Sequence, residues 1–162
     1  MGKGERQMTQ DVSLGPRTML EGEVVDWGAR IGRQLDPPLW ISMIGPLGAG
    51  KSVLARSICR GAGVIGHIPS PSFTLVQCYA SPRGFHIHHV DLFRLRPGDP
   101  FEPLGWDELL SAPGLVLLEW ADRAGDQLPE DRWDVILDYE ADPAERVVQV
   151  RRVGRAPELL GW

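Results

Sequence analysis

The sequence predicts an α/β fold of three layers, a mixed sheet with a parallel centre and antiparallel additions between helices. Three observations carry this expectation. Short continuous apolar runs, "LWISMI" at 39–44 and "GLVLLEW" at 114–120, have the two-sided apolarity of strands buried in a parallel sheet. Apolar residues recur at helical steps just before the first run. Paired β-rich segments joined by short turns then supply the antiparallel additions.

The elements follow in chain order. Residues 1–18 are polar, glycine-containing and without periodicity, which predicts a flexible N-terminal tail and leaves 19–162 as a single domain. Leu20, Val24, Trp27, Ile31 and Leu35 form one apolar helical stripe that Pro37 and Pro38 must end. The strand at 39–44 feeds directly into "GPLGAGKS", and "VLARSICRGAG" reads as a helix ending in glycines. "FTLVQCYA" and "FHIHHVDLF" are joined by "SPRG" as a hairpin. After the strand at 114–120, "WDVILDY" and "ERVVQVRRV" form a closing pair through "EADPA".

Composition narrows the function classes. In 162 residues, 43% are hydrophobic, enough for one ordinary core, and the net charge of −5 argues against a broad nucleic-acid footprint. Cys59 and Cys78 match no zinc or redox spacing, so two free thiols in a reducing compartment are expected. The first twenty residues contain Lys3 and Arg6 but no apolar leader, and no run reaches the roughly 18 apolar residues of a membrane span. A cytoplasmic protein without membrane contact is expected.

The chemistry starts at the glycine loop. Gly45, Gly50, Lys51 and Ser52 meet the pattern G-x-x-x-x-G-K-[ST] between a strand and a helix, which makes the expected fold P-loop NTPase-like. Backbone N–H groups across Gly45, Pro46, Leu47, Gly48, Ala49, Gly50, Lys51, Ser52 and Val53 would cradle phosphates with the dipole of the helix start, although Pro46 has no N–H to give. Lys51 would reach the β and γ phosphates and the Ser52 hydroxyl would ligate Mg²⁺. The chain holds only two lysines, Lys3 and Lys51.

A complete magnesium site needs a further carboxylate, and Asp91 and Glu119 stand at strand ends where one belongs. Ser70 to Thr74, "SPSFT", offers the Ser72 and Thr74 hydroxyls to a γ phosphate or its cation. His86 and His88 share one strand face and His89 takes the other, with no cysteine nearby, which argues against structural zinc. Trp27 and Trp40 read as core, whereas Trp120 follows Glu119 directly.

The ordered motifs "GPLGAGKS", "SPSFTLV", "HHVDLFRL", "LGWDELL" and "LLEWADR" with a following "LP" resemble the bacterial TsaE (YjeE) family, small ATPases of tRNA threonylcarbamoyladenosine biosynthesis. The resemblance runs from about Leu20 to Leu137. Pro46 stands where that family often has an acidic residue, Ser52 and Ser72 where it has threonine, and Phe93 where it has tyrosine. The resemblance implies binding of ATP or ADP with Mg²⁺ at Gly45 to Ser52, a switch-like loop at Ser70 to Thr74, and Trp120 beside the site. It also implies that Asp91 and Glu119 complete a magnesium and water-handling site with Ser52 and Lys51; which carboxylate takes which role stays open. The implied function is a Mg-dependent ATPase, slow alone, that serves N6-threonylcarbamoyladenosine formation at position 37 of tRNAs decoding ANN codons. Its partners would be TsaB and TsaD-type proteins, with tRNA reached indirectly. Two rivals stand beside it. A small-molecule P-loop kinase would use Arg94, Arg96 or Arg123 over the phosphates but needs a lid, and no insertion of that size exists. A non-hydrolysing nucleotide sensor would lack a carboxylate, and both are present.

Overall fold

The computed structural model describes residues 11–158 and 161–162. Seven strands form one sheet in the order β1-β7-β6-β2-β5-β4-β3, from β1 (Val12–Leu20), β2 (Leu39–Ile44), β3 (Val76–Ala80), β4 (His86–Asp91), β5 (Leu115–Glu119), β6 (Arg132–Tyr139) and β7 (Glu145–Val153). The centre β6-β2-β5-β4 is parallel, and β1, β7 and β3 join it antiparallel. The sheet is mixed as expected, and two of its three antiparallel pairs, β3–β4 and β6–β7, are those read from the sequence.

Three helices complete the layers: α1 (Glu21–Gln34), α2 (Lys51–Gly61) and the short α3 (Trp106–Leu110). Strand alternation sends Ile41, Met43, Ile87, Leu115 and Leu117 to one face, where Trp27 and Ile31 of α1 and Leu54 and Ile58 of α2 cover them. Trp40, Val90, Val116 and Leu118 face the other way, onto Trp106 and Leu109 of α3. Each fully buried side chain of this size contributes about 1.5–3 kcal/mol, so the two clusters dominate the stability.

Helix α1 carries the expected stripe at Val24, Trp27 and Ile31, with Leu35 buried at its end, but Leu20 belongs to β1 and is exposed; the helix starts where Glu23 accepts the Leu20 N–H at 2.8 Å. It crosses α2 with backbones almost touching. A Cβ on Gly32 would drive into Ile58 O and lie 2.7 Å from Ala62 N, so only glycine permits this approach. The crossing fixes α2, and with it the loop that α2 follows.

The expected flexible tail needs correction over 12–18. Residues 1–10 lie outside the described residues, but Val12 to Leu20 pair with β7 from Arg152 down to Glu145. Apolar alternation was absent because only Met19 of the strand is buried, and the register shifts between Leu14 and Arg17. Main-chain bonds to the edge of β7, a tertiary effect, make this strand.

Cys59 and Cys78 are free, and burial pushes the Cys59 thiol up to about 12. No helix among the described residues is long and apolar enough to cross a membrane.

Candidate functional site

Three parallel strands deliver the site at their carboxyl ends, where ligands bind in open α/β sheets. The loop after β2 turns sharply against β6: a Cβ on Gly45 would collide with Leu137 O. Gly50, at φ 105°, precedes α2, and no side chain caps that helix. The first helical acceptor, Gly50 O, goes to Leu54 N–H, which leaves the earlier N–H groups of the helix for a ligand. Tyr139, at the end of β6, donates its hydroxyl to Leu47 O and braces the loop from outside.

The adjacent cleft has a volume of about 400 Å³ and is lined by Leu47, Gly48, Gly50, Lys51, Ser52, Val53, Ser72, Asp91, Glu119 and Trp120, together with Glu21, Phe73, Phe93 and Arg94. Gly45 and Pro46 contribute their carbonyls instead, and Ala49 is buried in the core. Lys51 is buried, and its Nζ donates to Gly45 O at 2.6 Å and Pro46 O at 2.8 Å. Burial holds its pKa below the ordinary 10.5, and Glu119, Asp122 and Asp91 pull the other way.

Trp120 lies over that ammonium, its ring centre 3.7 Å from Nζ. It reaches there at φ 58°, a left-handed backbone that costs a bulky residue about 1–3 kcal/mol. The strained turn ends β5 and sets the indole across the cradle. Phe93 packs beside it at a tilt, with ring centres 5.0 Å apart.

The carboxylates are neighbours by register, because Asp91 pairs with Glu119 across β4 and β5, and both side chains are buried. Glu119 accepts the Ser52 hydroxyl at 2.7 Å and lies 2.7 Å from His89 Nε2. Asp91 accepts the Ser72 hydroxyl at 2.9 Å and the Phe93 N–H at 2.8 Å. Each sequence-predicted carboxylate is thus tied to a different loop: Glu119 to the glycine loop and Asp91 to the "SPSFT" turn. Thr74 is not brought in. It is exposed and accepts from Gln77 at 3.0 Å, just before Leu75 at φ 65°.

This donor set suits a phosphate with a hard cation. One ammonium and open N–H groups meet an anion, while two carboxylates and a hydroxyl meet a divalent ion. No cluster of three or more His, Cys, Asp or Glu side chains among the described residues could hold a metal by itself. Mg²⁺ takes one or two protein carboxylates and completes its shell from phosphates and water. His86 is exposed, and burial, then His86, lowers the pKa of half-buried His88.

A family model described as "Threonylcarbamoyl adenosine biosynthesis protein TsaE" matches residues 19–148. The chain belongs to the TsaE family. Among its relatives, the tRNA threonylcarbamoyladenosine biosynthesis protein TsaE of Streptomyces coelicolor is 34% identical over 130 residues, 78% of this chain and 87% of that one. The protein of the same name from Bacillus subtilis is 32% identical over 120 residues, 74% and 73% of the two chains. The crystal structure of Bacillus subtilis YdiB shares the fold, with a TM-score of 0.72 at 23% identity over 91% of this chain and 89% of that one.

The TsaE match stops before the end of β7 and begins near the end of β1, so the margin of the sheet is outside it. Two site residues escaped sequence reasoning. His89 was weighed only as a zinc ligand, yet its place two residues before Asp91 puts it on the same strand face. Tyr139 was read only as strand, although the end of a parallel strand beside β2 must lie against the loop that leaves β2.

Proposed function

We propose that this TsaE-family protein is a Mg-dependent ATPase acting in N6-threonylcarbamoyladenosine formation at position 37 of tRNAs decoding ANN codons, together with TsaB and TsaD-type partners. The observation that carries the reading is the joining of Ser52 to Glu119 beside Lys51, because it brings a phosphate cradle and a hard-oxygen donor set to one cleft. The relatives' names supply the pathway.

Lys51 would exchange its two carbonyl partners for phosphate oxygens, and α2 would offer its open N–H groups. Ser52 and Glu119 would hold Mg²⁺, which when bound would neutralise phosphate charge and polarise the bond to be broken. Asp91, tied through Ser72 to the "SPSFT" turn, would orient the attacking water and take part of its proton. A site whose water-handling group hangs on a surface turn is open to completion by a partner, so slow turnover alone fits the same geometry. The net charge of −5 agrees with an indirect approach to tRNA.

The decisive experiment measures phosphate release by the purified protein with and without its TsaB and TsaD-type partners, for wild type, Glu119→Gln and Asp91→Asn. Stimulated release that both substitutions abolish supports the reading; wild-type turnover in both variants overturns it. The kinase rival has one observation in its favour. A second cavity of about 660 Å³, lined by Phe93, Arg94, Arg96 and Arg123, adjoins the phosphate cleft. Arg123, however, is engaged with Phe93 O and with Leu95 O at 2.8 Å, which ties it to that wall. Labelled γ phosphate recovered on a small hydroxyl compound, rather than in water, would establish the kinase.

A further inference from the structure

We propose that His89 is a positioning residue: it donates Nε2–H to Glu119, fixes that carboxylate in one orientation, and so sets the affinity of the cleft for its divalent cation. This deepens the ATPase reading and rests on it for the identity of the cation.

The placement follows from strand geometry. Ile87, His89 and Asp91 share the face of β4 that α1 and α2 cover, and Leu117 and Glu119 share the matching face of β5. His89 pairs in register with Leu117, so Glu119 stands one step further along the neighbouring strand. Their side chains meet at 2.7 Å with exposures of 0% and 2%.

The proton on this ring can be assigned from its hydrogen bonds. Nδ1 is buried and has no partner among the described residues. A buried N–H without an acceptor is more costly than a bare lone pair on a nitrogen, so the proton belongs on Nε2. A ring that accepted from a protonated Glu119 would leave an orphan Nδ1–H. Glu119 therefore receives two donors, Nε2–H on Oε1 and the Ser52 hydroxyl on Oε2. Both oxygens accept, and the group is a carboxylate locked at both ends.

Without the imidazole, Oε1 would be a buried anionic oxygen with no donor, and the carboxylate would turn toward Ser52. Removal of a group that orients a metal ligand typically weakens metal binding by about 10–100-fold. The phosphate contacts of Lys51 and α2 would be untouched, which separates this role from a general loss of fold.

The test uses the full chain with Mn²⁺ as the probe, its affinity for the ADP complex read by electron paramagnetic resonance. His89→Leu fills the space without a donor, and His89→Gln restores an N–H of similar reach. In His89→Leu, ADP affinity in EDTA should stay within about twofold while Mn²⁺ binding weakens by about 10–100-fold. His89→Gln should recover Mn²⁺ binding to within about fivefold, and kcat should follow Mn²⁺ affinity with the KM for ATP little changed. Should His89→Leu fail to fold, His89→Asn replaces it, since its shorter amide cannot span to Oε1. Unaltered Mn²⁺ affinity without the donor, or a glutamine variant as impaired as the leucine or asparagine variant, overturns the proposal. The Mn²⁺ measurement needs no turnover, so a wild-type protein that binds Mn²⁺ and ADP but hydrolyses no ATP even with its TsaB and TsaD-type partners overturns the ATPase reading and still judges His89.

Discussion

Lys51→Met separates what a buried ammonium does for a nucleotide from what it does for the fold. In the wild type, Nζ donates to two loop carbonyls at 2.6 and 2.8 Å and sits 3.7 Å from the Trp120 ring centre. A charge-assisted contact to phosphate is worth about 1.5–3 kcal/mol, and at about 1.4 kcal/mol per tenfold its loss should weaken ADP binding by roughly 10–150-fold. The effect on the fold should be much smaller. Burial already depresses the pKa of Lys51, so the surroundings as a whole disfavour its charge, and methionine keeps an apolar stem against Trp120. Removing the ammonium gives up two hydrogen bonds but also a desolvated charge, and stability should move by no more than about 1 kcal/mol, or roughly 4 °C in a domain of this size. Isothermal titration with ADP at fixed Mg²⁺ and salt, run beside a thermal scan, reads both numbers. ADP affinity within about threefold of wild type would refute the cradle. A Tm loss beyond about 10 °C would show Lys51 to be a structural residue.

Three further outcomes follow from other parts of the molecule. Ser72→Ala removes the tie between the "SPSFT" turn and Asp91, whereas Thr74→Ala removes only a contact with Gln77. Captured TsaB and TsaD-type partners should therefore lose discrimination between the ATP and ADP states for Ser72→Ala and keep it for Thr74→Ala; equal effects would refute the asymmetry. Gly32→Ala thrusts a methyl group into the α1–α2 crossing and should cost about 2–3 kcal/mol, or roughly 5–10 °C in Tm; a drop under about 2 °C would show that the helices separate freely. Because the folded pKa of Lys51 lies below 10.5, the unfolded chain holds the extra proton in that window, and stability contributed by this group rises with pH. Urea midpoints for wild type should thus gain on Lys51→Met as pH climbs toward 10.5, and an opposite slope would contradict the direction of the shift.

Much of the fold was legible because its signals are local. "LWISMI" became β2 with its expected bounds, and the β3–β4 and β6–β7 pairs lie where turn residues separate β-rich segments. The glycine loop was legible for the same reason: eight consecutive residues carry the cradle, its lysine and its hydroxyl. What escaped depends on contacts between distant segments. The hydrogen bond from Tyr139 to Leu47 spans 92 positions, and that between His89 and Glu119 spans 30. Neither pairing exists until strand order and register are set. Hydroxyl spacing likewise did not separate Ser72, which bonds Asp91, from Thr74, which is exposed and bonds Gln77.

Strand β1 has a consequence for how this chain meets copies of itself. Without it, β7 would present a row of free backbone donors and acceptors along nine residues, with Val147, Val148 and Val150 among them, a template on which another polypeptide could add a strand. The replacement edge is a poorer template. Pro16 cannot donate, and the register shift beside it interrupts any continuous ladder. A variant lacking residues 11–20 should accordingly self-associate through its sheet margin, while the full chain keeps that margin closed to edge-to-edge aggregation.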